Sequence, residues 1–170
     1  WTYAWSHSTR LMYVPSVESC GKMVKEHMAF IQGVPFWGGG PGETEGQIGK
    51  AYGTVTAVDP VAGEIRWSYK NDNPIMSGAL ATGGGLVFSG DQEGYAFALD
   101  DMTGEVLWKF QTGSSIRSQP ITWKVDGQQF VAIASGGGGI IGSIVGAPDL
   151  VTNGSTLVVF AVPKSKWFWE

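Results

Sequence analysis

Two eleven-residue segments recur at a fixed distance: Ala57-Val-Asp59-Pro-Val-Ala-Gly63-Glu64-Ile-Arg-Trp67 and Ala98-Leu-Asp100-Asp-Met-Thr-Gly104-Glu105-Val-Leu-Trp108. Ala, Asp, Gly, Glu and Trp all repeat with a period of 41 residues. A period in that range marks one supersecondary unit per repeat, as in solenoids and propellers. Asp followed four residues later by Gly frames a tight turn, in which the carboxylate accepts backbone N–H groups and Gly takes positive φ. Trp67 and Trp108 then emerge at the same point of successive hairpins, where a flat indole can staple one unit to the next. Asp59, Gly63 and Trp67, and likewise Asp100, Gly104 and Trp108, are expected to be docking residues that bind no ligand.

Further β-prone runs occupy Leu11–Pro15, Gly53–Asp59, Ile65–Tyr69, Leu86–Ser89, Tyr95–Leu99, Val106–Phe110, Pro120–Val125, Phe130–Ala134 and Thr156–Val162, separated by Gly, Asp, Asn and Pro clusters. No stretch holds a capped 3.6-residue apolar period; the nearest, Lys22–Ile31, is short. The expected fold is all-β. Four-stranded blades take about 40–50 residues, so the period selects a β-propeller among all-β arrays. Residues 1–170 read as a single partial propeller domain of about three to four blades, with loop-rich segments at 18–50 and 136–155. An arc of so few blades needs a remaining propeller half, or copies of itself, to cover its end faces.

Composition narrows the function classes. Charged residues make up 15% of the chain and the net charge is −4, which argues against nucleic acid and polybasic membrane contacts. No apolar run approaches the ~20 residues of a membrane helix. The start, Trp1-Thr-Tyr-Ala-Trp5, shows no basic n-region and reads as the interior of something longer. The single cysteine, Cys20, rules out an intrachain disulfide, and its spacing to His27 matches no zinc pattern. Gly38–Gly40, Gly83–Gly85 and Gly136–Gly139 lack the signatures of phosphate loops. Gly83–Gly85 reads as a hairpin, and Asp91-Gln-Glu93-Gly94 as a tight turn rather than a calcium loop. Gly136–Gly139 leads into a long irregular segment, Ile140 to Gly154, of a size often given to function. No carboxylate pair or Ser/His/Asp arrangement is present, and neither His7 nor His27 sits in a catalytic motif, so no catalytic or metal-ligating residue is assigned.

In order along the chain, Leu11-Met-Tyr13-Val-Pro15-Ser16, Gly53–Asp59, Ala79–Ala98, Phe110–Pro120, Asp126–Gly137 and Leu157–Pro163 resemble the C-terminal part of the pyrroloquinoline-quinone (PQQ) dependent alcohol dehydrogenases, the methanol-dehydrogenase-like quinoproteins. The eleven-residue repeat looks like that family's tryptophan-docking motif. The resemblance implies a share of an eight-bladed propeller in a periplasmic enzyme, with PQQ and a calcium or lanthanide ion on the ring axis. Such an enzyme oxidises a primary alcohol to an aldehyde and passes electrons to a cytochrome or another quinone. The family's catalytic carboxylates belong to its earlier half, so this chain is expected to be inactive alone. Met76, ahead of Ser77-Gly78, stands where relatives place a Trp beside PQQ, and Ile140 where some place another. Met76, Ser77, Gly78 and Ile140 are thereby the implied cofactor contacts. Arg117 and Trp123 read as blade residues. The alternative expectation is a non-catalytic propeller scaffold that binds protein partners, or copies that assemble a complete ring.

Overall fold

Alternation along each strand decides which way the sheets stack. In Leu11–Cys20 the buried residues Leu11, Tyr13 and Pro15 alternate with half-buried Met12, Val14 and Ser16, the period-two signature of a strand covered more on one face. A computed structural model describes residues 1–21, 23–25, 27, 29–33, 36, 38–41, 48–136 and 154–162. Among them every regular element is a strand. Ile140 and much of 18–50 and 136–155 lie outside the described residues.

Sheet A contains β1 (Ala4–Ser6), β2 (Leu11–Cys20), β5 (Ile48–Asp59) and β6 (Glu64–Asn71) in the order β1-β2-β5-β6. Between β2 and β5 the short strands β3 (Met23–Lys25) and β4 (Gly39–Pro41) pair with each other, so Met23–Lys25, inside the most helix-like stretch of the sequence, is extended. Sheet B is the meander β7 (Leu80–Ala81), β8 (Leu86–Gly90), β9 (Tyr95–Asp100) and β10 (Val106–Gln111). Sheet C holds β11 (Ile121–Val125), β12 (Gln128–Gly136) and β13 (Ser155–Ala161). All pairs are antiparallel. Sheets A and B are four-stranded blades, and the chain has the expected all-β propeller architecture.

The repeat period is visible in the register. Ala57 pairs with Trp67 and Ala98 with Trp108, and each pairing is followed by a register shift that bulges one residue, Arg66 or Leu107. The β11–β12 hairpin turns on Asp126-Gly127, both at positive φ (48° and 78°), as a two-residue turn of matching twist requires. Gly83–Gly85 forms the β7–β8 hairpin, closed by Thr82 N–H donating to the Leu86 carbonyl at 2.9 Å.

Among the described residues, two cores lie between the sheets. Leu11, Tyr13, Val55 and Ala57 of sheet A meet Val87, Phe97 and Leu99 of sheet B, with Ile75 and Ala79 filling the end. Ala96 meets Ile116 and Ile133 on the way to sheet C, flanked by Trp108 and Phe160. The outer faces differ. Sheet A's free face carries a ladder of hydroxyls, with Ser16 Oγ 2.7 Å from Thr54 Oγ1 and Thr56 Oγ1 3.1 Å from Ser68 Oγ. Sheet C's free face exposes Ile121, Trp123, Val125, Leu157 and Val159, brought to one side by the pairing register. By register Met12, Val14 and Val58 share sheet A's free face with its hydroxyls, so both end faces carry apolar groups.

Candidate functional site

Antiparallel meanders put alternate connections on opposite rims. Turns 60–63, 82–85, 101–104 and 126–127 share one rim; connections 72–79, 91–94 and 112–120 share the other, where β2 and β12 also end and β5 and β13 begin. Each rim carries one of the residue groups singled out from sequence.

On the first rim, Asp59 Oδ1 accepts the Val61 and Ala62 amides at 3.0 and 3.1 Å, and Gly63 N–H donates to the Asp59 carbonyl at 2.8 Å. Asp100 repeats this with the Met102 and Thr103 amides, both at 2.9 Å, and Gly104 N–H on its carbonyl at 2.9 Å. Gly63 and Gly104 sit at φ +70° and +75°. The amide bonds hold both carboxyls below the usual carboxylate range; at Asp59 the Arg66 guanidinium, 2.9 Å away, adds to the effect. Trp67 lies flat on the next blade's turn: a Cβ added at Gly104 would come within 2.6 Å of Trp67 Cε3 and 2.8 Å of Cδ2. Its Nε1–H donates to the Asp101 carbonyl at 3.1 Å, which also accepts the Tyr13 hydroxyl at 3.0 Å. The Tyr13 and Trp67 rings stand 5.7 Å apart. Trp108 instead meets Phe160 edge-on at 4.7 Å, with Phe88 at 6.4 Å. These residues, with Val131 and Val159–Val162, line an apolar groove of about 560 Å³ between sheets B and C.

On the second rim the lead-ins to the inner strands converge. Thr2, Gly78 and Gln119 each stand two residues ahead of β1, β7 and β11. The Thr2 carbonyl accepts the Ala79 amide at 3.0 Å, and the Ala79 carbonyl accepts Gln119 Nε2 at 3.1 Å. A side chain at Gly78 would collide with Thr2 Oγ1 and come within 2.9 Å of Gln119 Cβ. Met76 and Ser77 are fully buried. Ser77 Oγ donates at 2.7 Å to the Ser118 carbonyl, its counterpart one repeat later, with the Gly78 carbonyl 3.0 Å away. Arg117 occupies the repeat position of Met76, in the same connection as Ile116 and Ser118. The structure thus brings Met76, Ser77 and Gly78 together at the inner edge; Ile140 lies outside the described residues, and Trp123 stacks on Phe130 in sheet C at 5.5 Å.

Behind this edge lies a buried polar layer whose extent the motifs did not reveal. Asp91 is fully buried, its Oδ1 accepting the Gly94 and Tyr95 amides at 3.0 and 2.9 Å and its Oδ2 accepting Asn71 Nδ2 at 3.1 Å. Burial pushes its carboxyl above the usual range, against the pull of those hydrogen bonds and of Lys109. The tight turn expected at Asp91–Gly94 is present, and burial makes its carboxylate a structural anchor. Thr112, Ser114 and Ser135 continue the layer, with Ser135 Oγ donating to the Ser114 carbonyl at 2.7 Å. Gln92 is also fully buried, yet neither atom of its side-chain amide has a hydrogen-bond partner among the described residues. A run of Asp, Gln, Glu and Gly reads as solvent-facing turn chemistry; only the packed neighbour blades reveal the burial.

Groups of three or more His, Cys, Asp or Glu side chains able to hold a metal are absent among the described residues. Ser77's only proton is committed to main-chain carbonyls, Gly78 is closed in by its neighbours, and Met76 offers an apolar surface without a donor. A polar, multiply charged cofactor needs donors and a cation. These described residues do not fit it as a holding site on their own.

The sequence pattern of the PQQ family described as "Glucose/ethanol/alcohol dehydrogenase, beta-propeller domain" matches residues 50–131. Quinoprotein alcohol dehydrogenase PedH of Pseudomonas putida is 37% identical over 166 residues, covering 95% of this chain and 28% of that protein. Quinoprotein ethanol dehydrogenase of Pseudomonas aeruginosa is 37% identical over 169 residues, covering 95% of this chain and 26% of its own length. Among solved structures, a europium-containing methanol dehydrogenase superposes with a TM-score of 0.80 at 30% identity, over 94% of this chain and 32% of that one. The chain spans about a quarter of the length of the curated relatives it matches.

Proposed function

We propose, from the premise that this chain belongs to the PQQ β-propeller family of alcohol dehydrogenases, that it forms one sector of the ring wall of a quinoprotein and holds no cofactor by itself. In the complete ring, Met76, Ser77 and Gly78, together with Ile140, border the PQQ pocket. The rest of the ring supplies the donors and the calcium or lanthanide ion. The activity of that ring is the oxidation of a primary alcohol to an aldehyde in the periplasm, with electrons leaving to a cytochrome or a quinone. In such a ring PQQ would supply the electron-pair acceptor and the metal a Lewis acid.

The observation that carries this reading is that Ser77's hydroxyl is spent on main-chain carbonyls and Gly78 is closed in by Thr2 and Gln119. Ser77 ties sheet B's lead-in to sheet C's, and Gly78 allows the three lead-ins to meet. These residues shape and rigidify a boundary, as positioning residues do. A dye-linked assay of the chain with PQQ, calcium or europium and ethanol tests the proposal. No turnover above a protein-free control is expected; clear turnover overturns it.

A further inference from the structure

The turn between β8 and β9 is bonded to both connections that lead to the inner edge. Toward 72–79, Gln92 N–H donates to the Pro74 carbonyl at 2.9 Å, and Asn71 Nδ2 donates to Asp91 Oδ2 at 3.1 Å. Toward 112–120, the Asp91 carbonyl accepts the Ile116 amide at 3.0 Å, and the Gly94 carbonyl accepts the Thr112 amide at 2.8 Å. Pro74 lies two residues ahead of Met76, and Ile116 two residues ahead of Ser118. The bond from Ser77 to the Ser118 carbonyl joins the two connections again on the far side. Met76 and Ser77 are therefore held inside a closed circuit of hydrogen bonds that starts and ends at Asp91.

The two arms of the circuit are held differently. The 112–120 arm is tied to main-chain carbonyls and packed hard against the turn: a Cβ at Gly90 would come within 2.6 Å of Ile116 Cγ2, and one at Gly94 within 2.5 Å of the Ser114 carbonyl oxygen. The 72–79 arm depends on a carboxylate. Asp91 Oδ1 is spent on the Gly94 and Tyr95 amides, which leaves Oδ2 as the atom to take a proton. That proton would face the N–H of Asn71, and two donors cannot share one bond. Asn71 can accept it only by turning its amide, which takes Nδ2 off the Asn73 carbonyl, 2.8 Å away, and sets it against the Tyr69 hydroxyl that now donates to Oδ1 at 3.1 Å.

We infer that Asp91 is a positioning residue for the inner edge: as a carboxylate it locks Asn71 and the start of the 72–79 connection, and on protonation it releases them while the 112–120 connection stays fixed. Burial brings protonation to a higher pH than is ordinary for a carboxylate, against Lys109 of β10, whose Nζ stands 3.9 Å from the Tyr95 ring centre. The other titratable groups around the turn, among the described residues, are Tyr69 of β6, Asp72, whose charge acts on Tyr69, and Glu93, which accepts Asn73 Nδ2 at 2.7 Å. The inference rests on the ring-sector reading, which makes Met76, Ser77 and Gly78 a border of the pocket, and adds what sets their position.

The test titrates the full 15N,13C-labelled chain downwards from pH 7, over the range in which its circular dichroism stays constant. The Asn71 side-chain NH2 signals and the Gln92 and Ser77 amides are expected to shift with the midpoint of the Asp91 carboxyl carbon, at a pH above the ordinary carboxylate value of about 4, while the Thr112 amide stays still. In Asp91→Asn these shifts should be lost, with the Asn71 signals at the wild type's low-pH positions throughout; in Asp72→Asn and Glu93→Gln they should persist. Asn71 and Ser77 signals that stay still while Asp91 titrates, that follow another midpoint, that titrate undiminished in Asp91→Asn, or that move no more than Thr112 would overturn the inference. The wild-type titration decides the matter by itself if Asp91→Asn does not fold. No PQQ is present, so failure here and failure of the cofactor reading are separately visible.

Discussion

Gly63→Ala and Gly104→Ala place one methyl group at the same motif position on nearly the same φ, so their difference isolates the docking contact. An L-residue in the left-handed region costs roughly 1–2 kcal/mol, offset by about 0.5–1 kcal/mol from lowering the entropy of the unfolded chain. Gly63→Ala, with open space around it, should therefore cost about 1 kcal/mol. At Gly104 the new Cβ falls within 2.6 Å of Trp67 Cε3, and the indole is held from behind by Tyr13 and by its bond to Asp101. The ring must move, adding the ~1–3 kcal/mol typical of overpacking, for a total of about 2–4 kcal/mol. Urea unfolding followed by circular dichroism measures both. The decisive arm is a double-mutant cycle: with Trp67→Ala, which itself costs about 2–3 kcal/mol for a half-buried indole, Gly104→Ala should fall to the Gly63→Ala level. Equal costs for the two glycines, or no coupling between Gly104 and Trp67, would refute the assignment of this contact as the inter-blade staple.

Four further outcomes are expected. Asp100's carboxyl is held low by the Met102 and Thr103 amides, so its stabilisation is present above the ordinary carboxylate pKa and fades as pH falls through the lowered one; the stability gap between wild type and Asp100→Asn should close on acidification below about pH 4. Burial raises Asp91, so the folded state binds more protons there, and its contribution should instead decline as pH rises above about 4, a trend that Asp91→Asn removes. Gln92→Met should raise the unfolding free energy by about 1 kcal/mol, by removing two unsatisfied buried polar atoms at similar volume, whereas Ser77→Ala should lower it by about 1 kcal/mol through loss of the bond to the Ser118 carbonyl. Thermal or urea unfolding of each variant checks these signs.

Much of the fold was legible because its cause is local. The Asp-to-Gly spacing encodes a turn through groups that touch each other within five residues, and the nine β-prone runs coincide with nine of the strands. The strands not foreseen are β1, β3 and β4, of three residues each, too short for alternation to register. What sequence could not show is where long-range packing assigns different work to similar residues. Trp67 and Trp108 share a motif, but only Trp67 has a glycine turn beneath it among the described residues. The resemblance implies Ser77 as a cofactor contact; nothing in the sequence shows that the neighbouring blade brings the Ser118 carbonyl to 2.7 Å from its hydroxyl. Asp91 and Gln92 read as part of a tight turn, and that their side chains are fully buried is not visible in that motif.

The central claim is that this chain is a wall sector that does not hold the cofactor by itself. Native mass spectrometry of the purified chain with PQQ and calcium tests it most directly. The account predicts masses of the cofactor-free chain at every added PQQ concentration in the micromolar range. A stoichiometric complex retaining PQQ, whether on one chain or on a closed ring of copies, would contradict it.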